Sequence, residues 1–123
     1  MNYSELTLRY FDTAAGAGVL TGLDVHRGSA GSRAQGAWVQ FDVRANAGII
    51  QAARFLAFGC PHTIAVSAWV AEHGLGPVRA ALPESVEGLS ERFAVPVEKR
   101  GRLLIVEDAW VAAVAGALQR QEP

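Results

Sequence analysis

The chain has 123 residues, half of them hydrophobic and 19% charged, which is the length of one domain (1–123) with enough apolar content for a core. Its single cysteine, Cys60, excludes a disulfide scaffold, and one cysteine with three histidines cannot compose a tightly spaced four-ligand zinc site. Eleven basic residues against twelve acidic ones leave a net charge of −1, which argues against nucleic acid as a partner.

The longest run without an acidic or basic residue, 55–71, contains Gly59, Pro61 and His62 and is too short and too broken for a membrane span. Residues 1–10 show no basic stretch followed by an apolar one, so the expected location is cytoplasmic, with a reduced thiol.

In chain order, Ser4 is placed to cap a helix running toward Tyr10, although the alternation of Leu6, Leu8 and Tyr10 also fits a strand. Residues 16–23 read as a strand diluted by glycines, and 27–36 (RGSAGSRAQG) as a loop of small polar residues. The clearest β signal follows in 37–44, where Val39, Phe41 and Val43 alternate with Gln40, Asp42 and Arg44. Asn46-Ala47-Gly48 supplies a turn, and 49–58 a return strand, giving an antiparallel hairpin. That second strand is apolar on both faces near Phe55, Leu56 and Phe58, so its end is expected to be covered on both sides.

After Gly59 the period changes. Apolar residues at 64, 65, 68 and 69 predict a helix over 61–73, with Pro61 in its first turn and Gly74 at its end. A second helix is predicted over 84–93, interrupted by Gly88, and an extended exposed segment over 95–99, where Pro96 blocks a helix. Residues 103–119 form a long apolar helix, with Leu104, Val111, Val114 and Leu118 on or near one stripe and Glu107-Asp108 on its first turn. Strands followed by helices indicate an α+β fold: a small antiparallel sheet of about three strands, packed by helices, with a long C-terminal helix.

One segment is chemically pointed. Cys60 falls at a strand-to-helix junction, where free N–H groups and the helix dipole favour a thiolate, the form that acts as nucleophile or metal ligand. His62 can sit on the first turn near the sulfur, as a second ligand or a proton acceptor. A buried, inert thiol is the plainer reading. His26 and His73 read as surface or packing residues, and Trp38, Trp69 and Trp110 as core or interface anchors. The glycine-rich loop lacks the spacing of a phosphate-binding loop, and the charge run 98–102 reads as a solvated turn.

Taken together, Tyr3-Ser4-Glu5, Tyr10-Phe11, Gly48-Ile49-Ile50, Ala53-Arg54-Phe55, Phe58-Gly59-Cys60, Ile64-Ala65, Ser67, Val95-Pro96 to Lys99 and Glu107-Asp108-Ala109 resemble, in order and spacing, the IscU/NifU-type iron–sulfur cluster assembly scaffolds. The resemblance implies that family's α+β fold. It also implies a [2Fe–2S] cluster held by three cysteines, with an aspartate near the first and a histidine beside the third. Only the second cysteine has a counterpart, Cys60. Arg33 stands at the first cysteine, Gln35 at the aspartate, Arg102 at the third cysteine and Gly101 at its histidine. The family's chaperone-binding Leu-Pro-Pro-Val-Lys segment survives only as Val95, Pro96 and Lys99 within 95–99, which argues against the specialised chaperone as a partner.

Arginine stays protonated and offers iron no lone pair, so Arg33 and Arg102 turn an electron-rich cup into a cationic one. If they converge on Cys60 they would stabilise its thiolate or hold an anion. Three functions follow. The first is a scaffold-like protein that binds a cysteine desulfurase, or holds iron or a cluster weakly through Cys60 and His62, alone or shared across a homodimer. The second is a thiol enzyme or sulfur carrier built on Cys60. The third is a non-catalytic interaction module that kept the fold.

Overall fold

The computed structural model describes residues 3–119. Helix α1 (Glu5–Thr13) begins at Ser4, whose hydroxyl accepts from the Thr7 amide at 3.1 Å, so the cap decides between helix and strand. Strands β1 (Val25–Ser32), β2 (Ala37–Asn46) and β3 (Ile49–Phe58) form an antiparallel sheet in that order. A two-residue strand β4 (Gly76–Pro77) joins its edge beside Ile49 and Ile50. The predicted hairpin is β2–β3, and Ala47 and Gly48 at its tip both take positive φ (53° and 78°), the geometry of a tight hairpin turn.

Helix α2 (Pro61–His73) follows β3, then α3 (Val86–Arg92), a 3-10 turn (Val97–Lys99) and α4 (Gly101–Gln119). Helix α4 lies across β1 and β2, α2 packs against β3 and α4, and α1 packs on α2. Val39, Phe41, Val43, Ala53 and Phe55 face this helical layer and form the core with Val66, Val70, Leu103, Val106, Trp110 and Val114. No helix among the described residues is long and apolar enough to cross a membrane.

Several sequence expectations change. Much of the loop predicted over 27–36 is strand β1, and its small residues are what let α4 come close. A Cβ on Gly28 would stand 2.7 Å from Ala112 Cβ and closer still to the α4 backbone at Ala113. Residues 16–23 are not a strand in the sheet. Only Ala17 bridges to Phe55, after which the Leu20 amide donates to Asp42 Oδ2 at 2.9 Å. The segment is thus a strap across the outer face of the sheet, pinned to a carboxylate that is 1% exposed and gripped by Arg27 at 2.7 and 2.9 Å. Burial opposes ionisation of Asp42, but the Arg27 bonds, the Leu20 N–H and the Arg27 charge outweigh it and hold the carboxyl below its ordinary value.

The end of β3 is not covered on both sides: Leu56 is 37% and Phe58 40% exposed, on the face opposite Phe55. Helix α3 is shorter than predicted and runs through Gly88 without a break. Val95 is buried rather than exposed, and 97–99 is a 3-10 turn. On α4 the buried stripe is Leu103, Val106, Trp110, Ala113, Val114 and Ala117, whereas Leu104 is 52% exposed. Of the expected stripe Val114 is buried, and the face turns toward Leu103, Val106 and Trp110, with alanines where it meets β1 closely. The helix starts at Gly101, which places Glu107 and Asp108 in its second turn.

Candidate functional site

Five elements converge at one end of the sheet. They are the β1–β2 turn, the end of β3, the start of α2, the 3-10 turn and the first turn of α4. Cys60 is the N-cap of α2, in extended geometry (φ −74°, ψ 168°), with Pro61 immediately after it. Gly59 precedes it at φ +152°, and a Cβ there would lie 2.8 Å from the Thr63 hydroxyl oxygen. The strand can therefore turn into the helix only at a glycine, and that turn presents the sulfur over the first helical turn.

The Cys60 Sγ lies 3.7 Å from Thr63 Oγ1 and 3.9 Å from His62 Nδ1. It makes no full capping hydrogen bond, as suits a large, weakly accepting atom. Burial pushes the thiol up, but the Thr63 amide, the Thr63 hydroxyl, the His62 amide and the Arg102 charge together hold it below its ordinary value. Cys60 is only partly buried. His62 is 2% exposed, edge-on to the Tyr3 ring at 4.8 Å. Burial, then the positive charges of Lys99 and Arg102, push its pKa down, so the imidazole is neutral at pH 7.

Of the predicted site residues, Cys60, His62 and Arg102 come together. Arg33 reaches the same end but lies over the Phe58 ring, 5.0 Å from its centroid. Lys99 sits 5.9 Å from the Tyr3 ring. Pro96 caps the 3-10 turn and is partly exposed, whereas the Val95 side chain is in the core and is not offered to a partner. The sequence carries no signal for Tyr3 as a site residue, and for Thr63 only its spacing from the cap. Thr63 is three residues past the cap, the position whose amide and side chain reach back to it, and that spacing identifies it.

With this geometry in place, comparison with known proteins is specific. Residues 2–122 match the family model described as the NifU-like N terminal domain. The chain belongs to that family. Among solved structures, the N-terminal NifU-like protein from Brucella abortus, described as nitrogen-fixing, superposes with a TM-score of 0.59 at 14% identity, covering 95% of this chain and 92% of that one. A hypothetical protein solved at 2.3 Å gives 0.50 at 18% identity, covering 94% and 82%. Both likenesses show the fold. No curated protein matches the chain.

The NifU-like site does not fit a [2Fe–2S] cluster. Among the described residues no group of three or more His, Cys, Asp or Glu could hold a metal. One thiol and one imidazole are near each other, and the neighbouring charges are cations with no electron pair to give. The Arg102 Nε is moreover buried and without a partner among the described residues. A separate cavity of about 260 Å³ lies at the far end of α2, lined by residues that include His73, Arg79 and Trp110, and holds no thiol.

Proposed function

We propose that this NifU-like domain serves iron–sulfur cluster assembly by docking a cysteine desulfurase and accepting sulfur on Cys60, without holding a [2Fe–2S] cluster by its own ligands. The observation that carries this reading is the retained N-cap cysteine, partly exposed and with its thiolate favoured, in a donor set too small for iron. The role is that of a carrier rather than a catalyst.

In the transfer step the Cys60 thiolate attacks the outer sulfur of a persulfide on the partner's cysteine. A new S–S bond forms on Cys60, the partner's S–S bond breaks, and the partner's cysteine leaves as a thiolate.

The test is to mix the protein with a cysteine desulfurase and cysteine, then follow complex formation and the mass of the Cys60 peptide. A complex, and one added sulfur on Cys60 that is absent from Cys60→Ser, are expected. Neither complex nor added sulfur would leave a non-catalytic interaction module as the better reading.

A further inference from the structure

Strand β1 is one edge of the sheet, and among the described residues no segment pairs with its outer side. Which of its backbone groups are free follows from the bonds made at β3. The Phe55 amide donates to Gly16 O at 2.9 Å and the Phe55 carbonyl accepts from the Gly18 amide at 2.8 Å, so both groups point away from β2. Opposed residues of an antiparallel ladder either exchange both bonds or make neither. Phe41, opposite Phe55, therefore turns its groups toward β1, where they meet Gly28. The neighbours Arg27 and Ser29 turn theirs outward. Both residues are exposed.

Sheet edges template pairing with another chain unless lysine, proline or a covering element blunts them. The eight residues of β1 (VHRGSAGS) contain neither lysine nor proline. Arg27 is tied to the buried Asp42, so its charge is balanced within the chain. The edge is thus open to a second strand.

Helix α4 indicates which strand that is. It runs antiparallel to β1 and directly over it. A Cβ on Gly31 would stand 2.9 Å from Ile105 Cγ2, one on Gly28 2.7 Å from Ala112 Cβ, and one on Gly116 3.0 Å from His26 Nδ1. Ser29 therefore lies beneath the stretch between Asp108 and Ala112. The flank of α4 that contains Ile105 and Ala112 also carries Gly101, Asp108 and Ala115, spaced alternately by four and three, as in the seam of a helix pair. Gly101, Asp108 and Ala112 are exposed. A two-fold axis through Ser29 sets Asp108 against Ala112 of a second copy and Ile105 against its Ala115, with no acid facing an acid. One axis thus suits both the strand and the helix above it, which is the self-complementarity an isologous dimer requires.

We infer that the β1 edge is an interface between two copies of this chain. The strands pair antiparallel about Ser29, whose amide and carbonyl exchange bonds with those of Ser29 in the second copy, and the two α4 helices lie side by side above the joined sheet. The Cys60 sites fall at opposite ends of this pair and both stay open, so the dimer does not bring two thiols together. The inference needs no desulfurase and stands apart from the function proposed above.

Sedimentation velocity and light scattering over a wide range of protein concentration read the association, with folding checked by circular dichroism. Wild type is expected to dimerise. Ser29→Pro removes only the outward N–H, a change edge strands tolerate, and should weaken the dimer about tenfold or more through two lost hydrogen bonds. Ala112→Glu sets like charge against Asp108 of the second copy and should give monomer. Ala112→Lys, of similar bulk and opposite charge, should keep more of the dimer, with the difference shrinking at high salt. Leu56→Ser, on the open face of the sheet, should leave the dimer intact. A monomeric wild type would overturn the inference, as would a dimer equally tight in Ser29→Pro or equally weakened by Glu and Lys at 112. Loss of the dimer in Leu56→Ser alone would move the interface to the open face and overturn it too. If Ser29→Pro fails to fold, the Ala112 pair decides. Ser29→Pro that is monomeric yet still accepts sulfur on Cys60 supports the interface, and failure of sulfur transfer in a dimeric wild type removes the desulfurase reading alone.

Discussion

Cys60 caps α2 with a sulfur where most helices place an oxygen, and the consequences are chemical as much as structural. The sulfur is too large and too weak an acceptor to satisfy the first-turn amides fully, yet those amides, the Thr63 hydroxyl and Arg102 outweigh its burial and favour the thiolate. The folded pKa lies below the ordinary thiol value. The sign of the linkage follows. The thiolate contributes stability that is fully present above the unfolded pKa and is lost as pH falls through the folded one.

Alkylation of the wild type should therefore reach its half-maximal rate at a lower pH than that of a free thiol. Thr63→Val, which removes the hydroxyl 3.7 Å from the sulfur, should move that midpoint upward, measured as rate against pH. A midpoint unmoved by this substitution would show that Thr63 does not tune the thiol. This position was partly legible in the sequence. Gly59 and Pro61 mark the turn and the helix start, so the cap could be placed from the sequence, whereas the role of Thr63 depends on how close Gly59 lets it come.

At the scale of elements, the sheet depends on a strand with almost no side chains to pack. Strand β1 reads as a loop because Gly28, Ser29, Ala30 and Gly31 carry neither alternation nor β propensity. Its reason for existing lies in α4, more than eighty residues later, whose backbone at Ala112 and Ala113 fills the space a Cβ on Gly28 would take. Such a requirement has no local signature. The alanines on the buried face of α4 are the other half of the same contact. The β2–β3 hairpin and α2 were legible because their periodicity and turn residues are local.

Gly28→Ala should cost about 1–3 kcal/mol in denaturant unfolding, as α4 is forced off the sheet. Gly101→Ala should be neutral or slightly stabilising, because a Cβ there meets nothing and the residue is helical. Equal effects of the two substitutions would argue against close helix–strand contact as the reason for the glycine.

For the whole molecule, the family fold carries a site built on a single thiol. The NifU-like family match spans residues 2–122, and the elements that build the end of the sheet around Cys60 are all in place. The charge they bring there is positive. Arg102 enters from α4 and Arg33 lies at the same end, while among the described residues no third metal ligand joins Cys60 and His62. The fold was legible in the sequence because the resemblance runs through the whole chain. The convergence of Arg102 with Cys60 was legible only as a conditional, because it depends on the packing of α4 beside the start of α2. The outward placement of Arg33 over Phe58 follows from the open face of β3, which the sequence suggested was covered.

The measurement closest to the central claim is anaerobic reconstitution with iron and sulfide, followed by gel filtration, visible absorption and iron analysis of the monomer and dimer fractions. The account predicts no cluster absorption and no iron above background in either fraction, with Cys60 still freely alkylated afterward. A stoichiometric cluster, lost in Cys60→Ser, would contradict it.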